Sequence, residues 1–333
     1  MPLIKNSSFS SNHLLQNGHV QTIYPYLFRY IHNLPYKRER VITPDNDFLD
    51  LDWLENDSSS LVILSHGLEG CSQSPYIKGM AKKFRQEGFD ILAWNMRSCS
   101  GEINWLERYY HAGDTPDLEF VIRHALKKKN YRNLYLVGFS LGANLTAKYL
   151  GDPPQKHPGA LQAAVLISNP VDLRASDERI HMKANRVYMD IFLKSMKKKI
   201  KQKASIMSLS QVDINHLEKV ESLKDFNDFF VAPLHGFKSI NSYYQEASCK
   251  SVLHKIQTPT LLISAKNDPF LARECFPMRE AKNNSYLYLE ITNSGGHMGF
   301  VNPKDKSYWS ESRTLEFIYQ HTREEDLKSS VNF

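Results

Sequence analysis

Ser140, Asp268 and His297 are the side chains of this sequence whose types and order could perform nucleophilic acyl chemistry. Ser140 lies between two glycines in Val137-Gly138-Phe139-Ser140-Leu141-Gly142-Ala143-Asn144. A serine hydroxyl is a weak nucleophile until a base takes its proton and a third group orients that base. His297, in Gly295-Gly296-His297-Met298-Gly299-Phe300, offers an imidazole on a glycine-rich loop. Asp268, in Ala265-Lys266-Asn267-Asp268-Pro269-Phe270, offers the carboxylate. The order nucleophile, acid, histidine is the one used where a serine sits on a strand-to-helix turn. Asp172 is the rival acid, because it follows the preceding strand; the later position favours Asp268. An oxyanion needs two backbone donors, and the N–H groups of Leu141 and Leu68 are the candidates, Leu68 lying in His66-Gly67-Leu68-Glu69-Gly70. His66 is a second conceivable base, but it reads more readily as a ring that pins this loop. The implied reaction is cleavage of a carboxylic ester through an acyl-enzyme on Ser140. The same groups could serve acyl transfer or thioester cleavage, and a non-catalytic binding module is a third reading that the complete set argues against.

These groups need rigid elements to hold them. Leu134 to Val137 reads as a buried strand, and Leu141 to Leu150 as a helix stopped by Gly151 and Asp152-Pro153-Pro154. Side chains at 138 and 142 would collide with the neighbouring strand and helix, which explains the glycines. Upstream, Arg40–Thr43 and Phe48–Trp53 flank a turn and predict a hairpin. Leu61–Leu64 and Phe89–Trp94 predict strands, with a helix between Pro75 and Gly88 whose apolar residues Ile77, Met80, Ala81 and Phe84 repeat every three or four positions. Asp114 or Thr115 is expected to cap a helix with Pro116 at its first position. Ala163–Ile167, Thr260–Ser264 and Tyr286–Ile291 continue the strands, and Ser307–Gln320 closes the chain as a helix. Residues 12–36 predict a short helix and an arm, broken by Gly18 and Pro25. The alternation implies an α/β fold: a mostly parallel, doubly wound sheet with helices on both faces.

The alternation fails between Val171 and Ile256, where helical pattern persists without a convincing strand. The expected organisation is therefore a core of residues 1–170 and 257–333, with 171–256 inserted as a helical cap (lid) over the sheet edge where open α/β sheets place ligands. The 333 residues carry a net charge of +6. Between Val171 and Thr258 there are 15 Lys and Arg against 10 Asp and Glu, so nearly all the excess lies in this segment. Lys194, Lys197, Lys198, Lys199, Lys201 and Lys203 sit on a helix whose other face holds Val187, Tyr188, Ile191, Phe192 and Ile200. This basic amphipathic helix reads first as a solvated outer face, and second as a peripheral contact with anionic membrane lipid. The aromatic residues Phe226 to Tyr244 read as cap core, some of them able to line an acyl pocket.

Hydrophobic residues make up 41% and charged residues 23% of the chain, as in a water-soluble globular protein. No apolar run approaches a membrane span, and Met1 to Ser11 lacks the apolar core of a secretory signal. Four separated cysteines without a Cys-x-x-Cys fit reduced thiols and a cytoplasmic setting. No nucleotide loop, nucleic-acid module or zinc spacing is visible, and no cofactor is expected.

Several further motifs accompany the serine: Asn17-Gly18-His19-Val20-Gln21-Thr22, Arg97-Ser98-Cys99-Ser100-Gly101-Glu102, Tyr110-His111-Ala112-Gly113-Asp114-Thr115 with Asp117, and Ala232-Pro233-Leu234-His235-Gly236-Phe237 with Tyr243-Tyr244. Together with the loops of Leu68, Ser140, Asp268 and His297, they make nearly the whole chain resemble the YheT-type (EMB8-like) branch of the α/β-hydrolase superfamily. The resemblance implies the α/β-hydrolase fold and a carboxylesterase or lipase-like enzyme, including monoacylglycerol-lipase-like activity in lipid metabolism. It also implies Ser140, Asp268 and His297 as the catalytic triad. Ser98 stands where the family pattern has Gly, and Ala112 where it has Ser. The membrane anchor of the mammalian members is expected to be missing here.

Overall fold

The computed structural model describes residues 3–12, 15–32, 34–153, 156–302 and 307–322. Pro154, and positions 13, 14 and 33 of the stretch 12–36 considered above, lie outside these residues. Among the described residues nine strands, β1 (Leu3–Ile4), β2 (Lys37–Ile42), β3 (Phe48–Leu54), β4 (Ser60–Ser65), β5 (Asp90–Asn95), β6 (Asn133–Phe139), β7 (Leu161–Ile167), β8 (Thr260–Ala265) and β9 (Leu287–Thr292), form one sheet. Their order is β1-β9-β8-β7-β6-β4-β5-β3-β2. Only β3 runs antiparallel to β5, and β2 to β3. The expected hairpin is thus β2–β3. The edge strand β1, parallel to β9, has no periodicity that would betray it in the sequence.

Every residue of β6 is buried, as a parallel strand covered on both faces requires. Leu134 and Leu136 face a core built with α3 (Thr115–Lys128) and α4 (Leu141–Leu150), while Tyr135, Val137 and Phe139 face one built with α2 (Pro75–Gln86) and α11 (Trp309–Gln320). The chain switches direction across the sheet between β4 and β6, which pair with Ser65 opposite Gly138. The loop after β4 therefore emerges beside the loop after β6, at the switch point where such sheets place ligands.

Two local expectations are corrected. α1 (Gly18–Phe28) is an 11-residue helix with Pro25 inside it. The proline is tolerated because it lies in the last turns, where the Pro25 carbonyl still accepts from the Arg29 N–H at 3.2 Å. Asp114 occupies the N-cap position of α3 but makes no side-chain cap bond. Both of its oxygens are instead engaged by the Arg108 guanidinium, at 2.7 and 2.8 Å.

Between β7 and β8 the chain forms α5 (Leu173–Ile180), α6 (Arg186–Ile206), α7 (Leu223–Phe226), α8 (Ala232–Leu234) and α9 (Ile240–Ala247). α7 and α8 are joined by the π-helical turn Asn227–Val231. Met189, Leu193, Met196 and Ile200 of α6 form an apolar cluster with Phe226 and Phe230, and this cluster reaches Leu68, Leu141 and Phe270. The short helix α10 (Met278–Asn283) precedes β9. No helix among the described residues is long and apolar enough to cross a membrane.

Candidate active site

β6 delivers Ser140 onto a turn that no ordinary side chain adopts comfortably. Its φ and ψ are 51° and −119°, a left-handed conformation that costs of order 1–3 kcal/mol outside glycine. A Cβ on Gly138 would lie 2.5 Å from the Gly142 carbonyl oxygen, and one on Gly142 would lie 2.4 Å from the carbonyl oxygens of Ser65 and His66. The two glycines are thus required by close approach of β6, α4 and the loop after β4. α4 starts at Leu141, so Ser140 stands over a helix N-terminus with its partial positive charge.

Asp268 follows β8 and His297 follows β9. His297 Nε2 lies 2.8 Å from Ser140 Oγ, and His297 Nδ1 lies 2.8 Å from Asp268 Oδ2. Both groups are nearly sealed from water, with 5% and 1% exposure. A carboxylate only accepts, so Nδ1 carries the proton and Nε2 is free to accept from the serine. The second Asp268 oxygen accepts from the Phe270 N–H at 2.8 Å, and the Phe270 ring lies 4.4 Å from the imidazole, centroid to centroid. Asp172 stands elsewhere: it caps α5 through the Ala175 N–H and pairs with Lys250 at 3.0 Å.

The loop Gly67–Gly70 borders the serine: a Cβ on Gly67 would come within 3.2 Å of Ser140 Cβ. The Gly67 N–H donates to Tyr76 Oη at 3.0 Å and the Glu69 N–H to Tyr110 Oη at 2.9 Å. Between them, the Leu68 N–H has no acceptor among the described residues. The Leu141 N–H, first in its helix, has no intrahelical acceptor either. His66 Nε2 accepts from the Met96 N–H at 3.0 Å while Nδ1 donates to the Gly67 carbonyl at 2.8 Å. Burial pushes the His66 pKa down to about 4. It is a neutral pin for this loop rather than a base.

The structure also brings in residues that sequence reasoning left without a role. Gln21 of α1 is fully buried. Its amide nitrogen donates to the carbonyls of Leu15 (2.8 Å) and Val301 (3.2 Å), and its oxygen accepts from the Val301 N–H at 2.7 Å. Thr22 Oγ1 accepts from the His297 N–H at 2.9 Å. Asn267 Oδ1 accepts from the Gly296 N–H at 3.0 Å. α1 therefore clamps the His297 loop, which Asn267 in turn ties to the loop of Asp268. The Asn17–Thr22 motif was the only signal of this.

Glu69 is the second omission. Its carboxylate accepts from Tyr109 Oη (2.8 Å), Tyr110 Oη (2.7 Å), Ser195 Oγ and Lys199 Nζ (3.0 Å). Burial alone would raise its pKa, but the Lys199 charge and the hydroxyl donors hold it below the usual range. Lys197 Nζ donates to the Val220 carbonyl at 2.6 Å, and buried Lys203 donates to the carbonyls of Asn104 and Leu106. Three of the six lysines of α6 thus point inward. Ser98 has φ 61°, which is the physical reason a glycine suits that position.

His111, Asp114 and His235 place one possible ligand atom each within 4.8 Å of one another. They come from two distant segments, so no spacing announces them. Arg108 covers the Asp114 carboxylate. Burial first, aided by Arg108, drives the imidazole pKa values to about 3 for His111 and about 2 for His235. That electrostatic setting opposes a cation.

The alpha/beta hydrolase fold family matches residues 60–303. The chain is 32% identical to the putative esterase YheT of Escherichia coli (strain K12), over 91% of this chain and 90% of that protein. It is 29% identical to the embryogenesis-associated protein EMB8 of Picea glauca, over 91% and 70% respectively. It is also 29% identical to the phospholipase ABHD3 of Homo sapiens, over 82% and 69%. The structure of the Pyrococcus furiosus esterase Pf2001 superposes with a TM-score of 0.59 at 19% identity, covering 89% of this chain and 97% of that one.

Proposed function

Because this chain belongs to the α/β-hydrolase family, in its YheT/EMB8-like branch, we propose that it is a serine hydrolase cleaving carboxylic esters through an acyl-enzyme on Ser140. The observation that carries the reading is the unbroken chain Ser140 Oγ, His297, Asp268, with both links at 2.8 Å. His297 Nε2 takes the Ser140 proton as Oγ attacks the ester carbonyl. The carbonyl electrons move onto oxygen, which the Leu68 and Leu141 N–H groups stabilise. When the intermediate collapses, the C–O bond to the alcohol breaks and His297 returns the proton to that alcohol. Water, deprotonated by the same ring, then releases the acid. Asp268 keeps the ring's tautomer and balances the imidazolium.

A lipid acyl ester is the proposed substrate class. It is supported by the apolar cluster of α6 and Phe226–Phe230, which reaches both Leu68 and Leu141, and by the phospholipase among the relatives. Ser140→Ala is expected to lower ester hydrolysis by roughly 10³-fold or more, to abolish fluorophosphonate labelling, and to leave the circular-dichroism spectrum unchanged. Wild-type rates in that variant would refute the reading.

A further inference from the structure

α1 and α6 touch through His19 and Tyr188, near the Phe270 ring that lies against His297. The His19 and Tyr188 rings stack at 5.8 Å with 10° between planes, and His19 Nδ1 lies 3.2 Å from Tyr188 Oη. Tyr188 packs edge-on against Phe270 at 4.8 Å, and Phe270 covers His297. One side of α6, Tyr188, Phe192, Ser195 and Lys199, therefore faces the site. The residues on its opposite stripe, Val187, Ile191, Lys194, Lys198 and Lys201, are all exposed.

The exposed side chains on this stripe and on α1 are unusually apolar. Val187 and Ile191 are 66% and 56% exposed, and Val20, Ile23 and Leu27 of α1 are 41%, 36% and 61% exposed. Positions 20, 23 and 27 share one helical face, opposite buried Gly18, Gln21 and Pro25. Tyr26, Phe28 and Tyr30 extend it. α1 contains no acidic residue, and Asp190 of α6 is paired to Arg186 at 2.9 Å. Exposed apolar side chains gathered on helix faces in this way mark a contact site.

We propose that these two outward helix faces form one docking surface for an anionic phospholipid bilayer. The charge pattern selects this occupant. Lysine is depleted from protein–protein interfaces, yet here Lys194, Lys198 and Lys201 continue the aliphatic stripe of α6. Long lysine stems can lie along acyl chains while their ammonium groups reach headgroup phosphates. Both faces are helical, so they offer protruding aliphatic side chains rather than a strand edge for a peptide. Docking there brings α6, which touches Phe270 and Glu69 beside the site, against the lipid. The proposal concerns adsorption alone and does not depend on the reaction proposed above.

The test is co-sedimentation of the full chain with vesicles of phosphatidylcholine containing phosphatidylglycerol, and with phosphatidylcholine alone, at about 0.1 M salt. Wild type and Ser140→Ala are expected to sediment equally with the anionic vesicles and poorly with the neutral ones. Leu27→Asp and Ile191→Asp should each lower partitioning about tenfold. Lys194→Gln and Lys198→Gln should each lower it roughly fivefold. Turnover of a soluble short-chain ester should stay within about twofold in all four variants, which separates this surface from the catalytic reading. Absence of wild-type binding, equal binding to neutral vesicles, or wild-type binding by Leu27→Asp/Ile191→Asp would overturn the proposal. So would light scattering showing that these substitutions dissolve a dimer, since the patch would then be a self-association surface.

Discussion

Lys199 of α6 and Glu69 of the loop beside Ser140 form an ion pair with N···O at 3.0 Å, their side chains only 16% and 5% exposed. The pair ties α6 to the loop in which Gly67 closely approaches Ser140. Glu69→Gln keeps the shape but only one acceptor oxygen, and it leaves a buried cation uncompensated. Its kcat is expected to fall roughly tenfold to a hundredfold with little change in KM, because positioning rather than binding is lost. Lys199→Met added to Glu69→Gln should cost less than the two single losses combined. A pure KM effect, or strict additivity, would contradict the role given to Glu69.

Asp268→Asn should lower kcat/KM on a soluble ester by roughly 10³–10⁴-fold, since an amide at Nδ1 stabilises the wrong imidazole tautomer. Asp172→Asn, at a residue that only caps α5 and pairs with Lys250, should stay within about threefold. The reverse ranking would move the acid.

Gln21→Ala removes three buried hydrogen bonds to Leu15 and Val301. The unpaired Val301 amide and Leu15 carbonyl should cost about 2–3 kcal/mol of unfolding free energy, read from urea midpoints. The His297 loop loses its clamp as well, so kcat should fall more than binding. An unchanged kcat would show that the loop holds itself.

His66 links stability to pH. Burial lowers its pKa to about 4 in the fold, against about 6.5 in an unfolded chain. The unfolded state therefore binds more protons between these values, and stability rises with pH there. The contribution, about 3 kcal/mol by linkage, is complete above pH ~6.5 and lost as pH falls toward the folded value. His111 and His235, pushed down by burial to about 3 and about 2, act in the same direction. Urea unfolding at several pH values should show a flatter acid-side slope for His66→Gln. A slope equal to wild type would remove His66 from this account.

The strands around Ser140 were legible because buried parallel strands leave uninterrupted apolar runs, and the helices α2 and α3 because their stripes repeat every three or four residues. The serine, its glycines and the loops of Asp268 and His297 announce themselves locally, since steric need fixes the residue type at each position. Gln21 and Glu69 were opaque for the opposite reason: a polar side chain looks the same whether solvated or buried among long-range donors. The lysine run of α6 misleads in the same way. Its spacing reads as one solvated face, yet Lys197, Lys199 and Lys203 turn inward onto carbonyls and a carboxylate far away in sequence. Asp114 has the sequence of a helix cap, but a neighbouring guanidinium outcompetes the backbone for it.

The clamp of α1 on the His297 loop spans almost the entire chain: Gln21 bonds Val301 across 280 positions, and Thr22 bonds the His297 amide across 275. During synthesis Gln21 and Thr22 can reach the nearby Leu15 and Gly18 carbonyls, but their bonds to Val301 and His297 must wait until the last strand and its loop have left the ribosome. Contacts of such sequence separation form late and slowly. The nascent chain can raise most of its sheet before Ser140, Asp268 and His297 can meet, because His297 follows the last strand.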